Sequence, residues 1–237
     1  MIILMKPIDR LIIALDTKDI ASAERILDET SEFCNIFKIG PGLFIKEGRD
    51  IVKAVKDRGK KCFLDLKLFD IPNTVLSALE SAASLDVDII TLHILGGERM
   101  LKVARAANLR PETLLGVTIL TSVDEKDIKR LGMKSLKETV IELAKIGKGC
   151  GLSGVVCSGL ESSQIKEAIG EGFLTVVPGI RIEKTADDQK RTVLPEEAIM
   201  NGADFIVVGR PILEADSPKK VASEIIRRMG ECLAIPK

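Results

Sequence analysis

Short apolar runs alternate with longer amphipathic ones along the whole chain. The apolar runs cover residues 11–16, 36–40, 61–68, 88–94, 114–120, 154–158, 173–180 and 205–212. Each is near-continuously hydrophobic, the pattern of parallel strands covered on both faces. The segments between them keep apolar residues at helical spacing and predict helices over 21–33, 43–58, 72–85, 98–107, 135–146, 162–169, 195–201 and 218–232. Pro72, Pro195 and Pro218 stand at helix starts, where a first-turn proline is tolerated, and Gly59 and Gly202 follow helical runs as helix-ending glycines do.

Eight strand-then-helix units in 237 residues predict an α/β fold, a (β/α)8 TIM barrel forming a single domain over 1–237. The competing architecture is a doubly wound open sheet, but the G-x-G-x-x-G turn that often follows its first strand is absent. One irregular, highly charged stretch, 181–193, follows the seventh strand; in a compact barrel such a loop commonly binds or covers a ligand.

Composition narrows the partners. Hydrophobic residues make up 46% of the chain, enough for a large core. Lys plus Arg and Asp plus Glu are 35 each, so the formal net charge is zero and nothing favours electrostatic capture of nucleic acid or an anionic membrane. With no Trp, no Tyr and 7 Phe, stacking platforms for bases are scarce. The five cysteines (Cys34, Cys62, Cys150, Cys157, Cys232) form no C-x-x-C pair, and His93 is the single histidine, so a Cys/His metal site is not expected. The odd cysteine count fits buried free thiols in a reducing compartment. No apolar run reaches transmembrane length, and the N-terminal apolar run lacks a signal-peptide pattern. A soluble, cytoplasmic protein is expected.

One strand departs from the apolar rule. It ends Asp65-Leu66-Lys67-Leu68-Phe69-Asp70, then runs into Ile71-Pro72-Asn73-Thr74. Charges at such a place must be partnered or serve chemistry, because burying them unpaired is costly. Alternation along a strand puts Asp65 and Lys67 on one side. Other strand ends add Asp16, Lys38, His93, Thr121 and Ser122, then Pro178-Gly179-Ile180-Arg181 and Gly209-Arg210-Pro211. In a barrel these collect at the C-terminal rim, where barrel enzymes place their chemistry. Glycine and arginine after the last two strands are the ingredients of a phosphate site; turn glycines and helix-capping arginines are the competing reading. For Asp65, Lys67 and Asp70 the competitor is a structural salt-bridge set, and for Lys38 it is a side chain reaching to the rim. His93 reads as a hydrogen-bonded supporting residue and Gly96-Gly97 as a helix-entry turn.

The decamer from Asp65 to Thr74 resembles the signature of the orotidine 5′-monophosphate decarboxylase family. The likeness continues in order through Leu11-Ile12-Ile13-Ala14-Leu15-Asp16, Phe37-Lys38-Ile39-Gly40, Leu120-Thr121-Ser122, Gly154-Val155-Val156-Cys157-Ser158, Val177-Pro178-Gly179-Ile180-Arg181, Asp187-Asp188-Gln189-Lys190-Arg191 and Ile206-Val207-Val208-Gly209-Arg210-Pro211. Phe69 stands where bacterial relatives often carry His, and Ile94-Leu95 where small residues are more usual; neither position has a chemical role by the resemblance.

The resemblance implies decarboxylation of orotidine 5′-monophosphate to UMP and CO₂, the last step of UMP biosynthesis, with no metal and no organic cofactor. By resemblance, Lys67 protonates C6 of the pyrimidine, Asp65 lies beside the departing carboxylate, and Lys38 bonds the ribose and Asp65. Asp16 binds a ribose hydroxyl, and Thr121 holds the base edge. Arg181, Gln189, Gly209 and Arg210 hold the phosphate. Asp70 and Thr74 are contributed by a neighbouring subunit, and Ile71 joins the substrate contacts, which implies a homodimer with shared sites. Two other functions compete: a sugar-phosphate barrel enzyme of the same superfamily, which lacks the Ile-Pro-Asn-Thr continuation and the Asp-Gln pair and usually needs Mg²⁺, and a non-catalytic nucleotide-binding barrel, which would be expected to have lost a charged member of the network.

Overall fold

The computed structural model describes residues 5–183 and 192–233. Eight parallel strands close on one another in sequence order. They are β1 (Leu11–Ala14), β2 (Ile36–Ile39), β3 (Lys61–Leu68), β4 (Ile89–His93), β5 (Thr113–Val117), β6 (Gly154–Val156), β7 (Leu174–Val177) and β8 (Phe205–Val208). The ring is completed by β8 against β1, with Leu11 beside Ile206 and Ile13 beside Val208. Each strand is followed by at least one helix, so the architecture is the (β/α)8 barrel that the alternating pattern predicts.

Strand alternation divides the core in two. Ile12 and Ala14 of β1, Ile36 of β2, Phe63 of β3, Ile89 of β4, Leu115 of β5, Val176 of β7 and Val207 of β8 fill the barrel interior. Their neighbours, such as Ile13, Phe37, Leu64, Ile90 and Val208, face the helices and join the larger core between barrel and outer ring. Below their C-terminal ends the strands are thus apolar on both faces, which explains the apolar runs in the sequence.

Several boundaries differ from the predicted ones. The helix expected over 43–58 is two helices, Pro41–Glu47 and Arg49–Asp57. Gly48 separates them at φ 56°, a left-handed conformation that glycine adopts without steric cost. The eighth strand, expected to reach 212, ends at Val208, and Arg210–Leu213 is a short helix. Pro211 has no N–H to extend a ladder, and its fixed φ suits a first helical turn. Pro7–Arg10 and Glu125–Arg130 are additional helices of 4 and 6 residues, too short for a periodic pattern to register. Asp124 and Asp127 build a reciprocal capping box at the start of the second.

Two ion pairs sit where strands begin, on the face of the barrel opposite the strand C-termini. Asp88, just before β4, accepts from Lys56 Nζ at 2.8 Å and from the Cys62 N–H at 2.7 Å. Asp204, just before β8, accepts from Lys166 Nζ at 2.6 Å and from the Thr175 N–H at 2.7 Å. The Lys166 side chain is 5% exposed, and its remaining donors reach the carbonyls of Glu171 and Phe173 at 3.1 and 2.9 Å. A buried ammonium is tolerated only when its donors are filled in this way.

Candidate active site

The inward rows that fill the barrel change character at its C-terminal end. On β1 the row runs Ile12, Ala14, then Asp16; on β2 it runs Ile36, then Lys38; on β3, Phe63, then Asp65; on β4, Ile89, then Thr91. The alternation that packs the core therefore delivers two carboxylates, an ammonium and a hydroxyl to one floor. Lys38 Nζ lies 3.2 Å from Asp16 Oδ1 and 3.6 Å from Asp65 Oδ2. Lys67 Nζ lies 2.9 Å from the same Asp65 oxygen. The result is a row of alternating sign: Asp16, Lys38, Asp65, Lys67. Gly40 makes room for it, since a Cβ there would stand 2.7 Å from Asp16 Oδ1.

Simple alternation does not explain Lys67. The ladder between β3 and β4 pairs Leu64 with Ile90, then resumes at Leu68 with Leu92. Three residues, 65–67, thus oppose the single residue Thr91, a bulge in β3. Lys67 occupies φ 51°, a left-handed conformation costing on the order of 1–3 kcal/mol for a side-chain-bearing residue. Asp65 and Lys67 still meet, as the sequence predicts, but through a bulge that re-aims the lysine rather than through a regular strand.

Electrostatics follow from this geometry. Burial alone would raise the Asp65 carboxyl. The charges of Lys38 and Lys67, with hydrogen bonds from Lys67 and Thr91, outweigh it and hold Asp65 below the usual carboxylate range. Burial pushes the His93 imidazole down, and the Lys67 charge pushes the same way. His93 Nδ1 accepts from the Leu95 N–H at 3.4 Å, and the ring packs on Phe69 with centroids 5.4 Å apart. His93 is therefore a neutral packing partner beside the charged row. The thiols of Cys34 and Cys62 are pushed up to about 12 by burial, in keeping with core residues.

Above the row opens a cavity of about 910 Å³. Asp16, Lys38, Asp65, Lys67, Thr121, Arg181, Gly209 and Arg210 all line it, over an apolar floor of Phe63, Val156, Val176 and Val207. Ser122, Pro178 and Gly179 complete the wall. Arg181 stands where the chain leaves β7, and its N–H donates to the Val193 carbonyl at 3.0 Å; residues 184–191 between them lie outside the described residues. Gln189 lies outside the described residues. Asp70, Ile71 and Thr74 are exposed and do not line this cavity. The Asp70 carboxylate accepts from the Ile71 N–H at 2.6 Å. Beside it, Phe69, Ile71 and Leu95 are 61%, 68% and 40% exposed, an apolar patch on the same rim. Thr91, fully buried beneath the row, is the participant that sequence reasoning missed. Among the described residues, no group of three or more His, Cys, Asp or Glu is placed to hold a metal ion.

Residues 9–225, which include every rim residue named above, match the model of the Orotidine 5′-phosphate decarboxylase / HUMPS family. The chain belongs to this family. Two curated members illustrate how far the likeness extends. The orotidine 5′-phosphate decarboxylase of Maridesulfovibrio salexigens is 44% identical over 226 residues, 93% of this chain and 98% of the relative. That of Wolbachia pipientis subsp. Culex pipiens is 43% identical over 229 residues, covering 96% and 100%. Among solved structures, the orotidine 5′-phosphate decarboxylase of Lactobacillus acidophilus superposes with a TM-score of 0.80 at 35% identity, covering 93% of this chain and 99% of that one. The family's barrel and the one described here are the same fold. No helix among the described residues is long and apolar enough to cross a membrane.

Proposed function

We propose that this family member decarboxylates orotidine 5′-monophosphate to UMP and CO₂, completing UMP synthesis in the cytoplasm. The observation that carries the reading is the alternating row Asp16–Lys38–Asp65–Lys67 in a cavity that Arg181, Gly209 and Arg210 also line, with Gly209 beside the Asp16 end of the row. That spacing of a charged row and a glycine–arginine wall suits a nucleotide with its phosphate at one end and its reacting ring at the other. The names of its relatives favour the same substrate.

In the proposed reaction the bond between C6 and the carboxylate breaks and the electron pair stays on C6. The Lys67 ammonium then gives a proton to C6, forming the C–H bond, and is reprotonated from water. No ring orbital delocalises that pair well, so a fixed cation nearby is the main source of stabilisation. Asp65, ionised and hydrogen-bonded, holds the Lys67 ammonium in place, and its charge faces the substrate carboxylate until CO₂ departs. General acid catalysis typically contributes ~10²–10⁴-fold, well below the ~8–23 kcal/mol by which enzymes lower barriers, so preorganised electrostatics and phosphate binding supply the rest. Lys38 and Asp16 bind the ribose, and Thr121 takes the base edge. Arg181, Gln189, Gly209 and Arg210 take the phosphate. The reaction is proposed to need neither metal nor organic cofactor, and turnover is expected to survive EDTA; metal-dependent turnover would favour the sugar-phosphate alternative.

Asp70, Ile71 and Thr74 are assigned to the site of a second subunit in a homodimer. Their exposure outside the cavity and the apolar patch of Phe69, Ile71 and Leu95 around them support this. Mixing inactive Asp70→Ala and Lys67→Ala proteins is expected to restore some activity after subunit exchange; no recovery with exchange verified would count against sharing. The reading as a whole is tested by measuring decarboxylation of orotidine 5′-monophosphate. Lys67→Ala is expected to lose turnover while still binding UMP, and near-parental turnover in that variant would sink the proton-donor role.

A further inference from the structure

The charged row rests on a residue to which no chemistry has been assigned. Thr91 lies on the inner face of β4, fully buried, and is absent from the cavity wall. Its hydroxyl oxygen accepts from the Lys67 backbone N–H at 2.8 Å, and its hydroxyl hydrogen goes to Asp65 Oδ1 at 2.9 Å. The direction is fixed, because an ionised carboxylate only accepts. One hydroxyl thus ties the backbone of the acid to the side chain of its neighbour.

The bulge explains why a hydroxyl is needed there. With 65–67 opposite a single residue, the ladder leaves the Lys67 N–H without a strand carbonyl, and a buried N–H needs an acceptor. Thr91 supplies it and thereby holds Lys67 at its left-handed φ of 51°. Other buried hydroxyls serve elsewhere: those of Thr30 and Thr118 go to the backbone carbonyls of Ile26 and Val156, and those of Ser162 and Thr175 belong to the Asp204 cluster. Around Asp65 the facing groups are Lys38 from β2, Lys67 from β3 and Thr91 from β4. Beyond them, Asp16 pairs with Lys38, and His93 of β4 lies close enough to feel the Lys67 charge. Lys67 and Lys38 share Oδ2, so Thr91 is the partner of the other oxygen and sets the plane of the carboxylate.

We propose that Thr91 is a positioning residue for decarboxylation, whose hydroxyl fixes the Lys67 backbone and the Asp65 carboxylate in one geometry. The reaction part of this inference rests on the function proposed above. Thr91→Val keeps the shape and removes the hydroxyl; Thr91→Ser keeps the hydroxyl. The expected result for valine is a ~10–100-fold fall in kcat, the range for losing a hydrogen bond to a charged group, with UMP affinity retained. Serine is expected to restore most of the loss. A second readout needs no turnover: the Asp65 carboxyl, followed by ¹³C NMR and assigned with Asp65→Asn, is expected to titrate at higher pH in the valine variant than in the parent or serine proteins. If the valine protein does not fold, Thr91→Ala carries the same expectations. Parental kcat in the variant lacking the hydroxyl, an unmoved Asp65 titration, or no rescue by serine would each overturn the proposal. A parent inactive on orotidine 5′-monophosphate would instead refute the reaction, and the titration would still decide whether Thr91 governs Asp65.

Discussion

Lys38→Met separates the cost of the charged row to the fold from its value to the chemistry. Lys38 is 11% exposed and sits between Asp16 and Asp65. At about 4 Å and an effective dielectric of ~20, one such pair is worth ~4 kcal/mol of Coulomb attraction. Taking an ammonium out of water costs several kcal/mol in return, so much of the attraction is offset. Removing one partner of a buried pair is usually destabilising by ~3–5 kcal/mol because the other charge is stranded. Here it is not stranded. Asp65 retains Lys67 at 2.9 Å and Thr91 at 2.9 Å, and the Asp16 side chain is 56% exposed to water. The expected loss of stability is therefore below that range, ~1–2 kcal/mol, with methionine filling the stem's volume. The proposed chemistry has no such reserve: losing one preorganised partner at a reacting centre typically costs ~10²–10³ in turnover.

The same variant has a pH signature. Lys38 is the first of the charges that hold the Asp65 carboxyl below its usual range. A lowered carboxyl contributes stability above its unfolded pKa and loses it as pH falls through the folded value. Without Lys38 the folded value rises, so the acid limb of both activity and stability moves to higher pH. Urea denaturation followed by circular dichroism, alongside steady-state turnover across pH, measures both. A variant that unfolds easily yet keeps parental turnover would refute the reasoning, since it would make Lys38 a structural strut.

Arg210→Ala is expected to weaken UMP binding far more than uridine binding; equal losses for the two ligands would remove the phosphate assignment. Asp204→Ala strands the Lys166 ammonium at 5% exposure and leaves the Thr175 N–H without its carboxylate, so a loss of ~3–5 kcal/mol in denaturant stability is expected, with kcat of the folded protein retained.

Much of this was legible in the residues because packing and chemistry ask for different side chains. Strands that are apolar on both faces announced a parallel barrel, and Asp65 and Lys67 stood out against that background. The bulge did not show, because an acid and a lysine two apart look the same in a regular strand and in a bulged one. Thr91 was hidden for a related reason: a threonine within a strand is ordinary β-branched filler until its hydroxyl is seen to have two charged neighbours. The break at Gly48 and the helix at Arg210–Leu213 were lost inside runs whose hydrophobicity continued across them. Nothing in the local pattern around Lys56 and Lys166 marks a partner 32 or 38 residues away. Asp70, Ile71 and Thr74 are legible as a motif, but their place outside the cavity is set by the turn after β3.

The two ion pairs beneath the barrel share one wiring diagram. In each, the aspartate before an even strand takes the N–H of the second residue of the preceding strand and returns its own N–H to that residue's carbonyl, at 3.0 Å in both cases. In each, the lysine comes from the helix leading into that preceding strand. One instance joins β3 to β4, the other β7 to β8, four units apart in a ring of eight. Rotating the barrel by half a turn lays one onto the other. Among the described residues the cavity rim has no such symmetry: its charged row lies at β1, β2 and β3, and Arg181 and Arg210 follow β7 and β8. On the underside this one pinning device thus repeats with twofold spacing, while the upper side places its charges and its arginines on different strands.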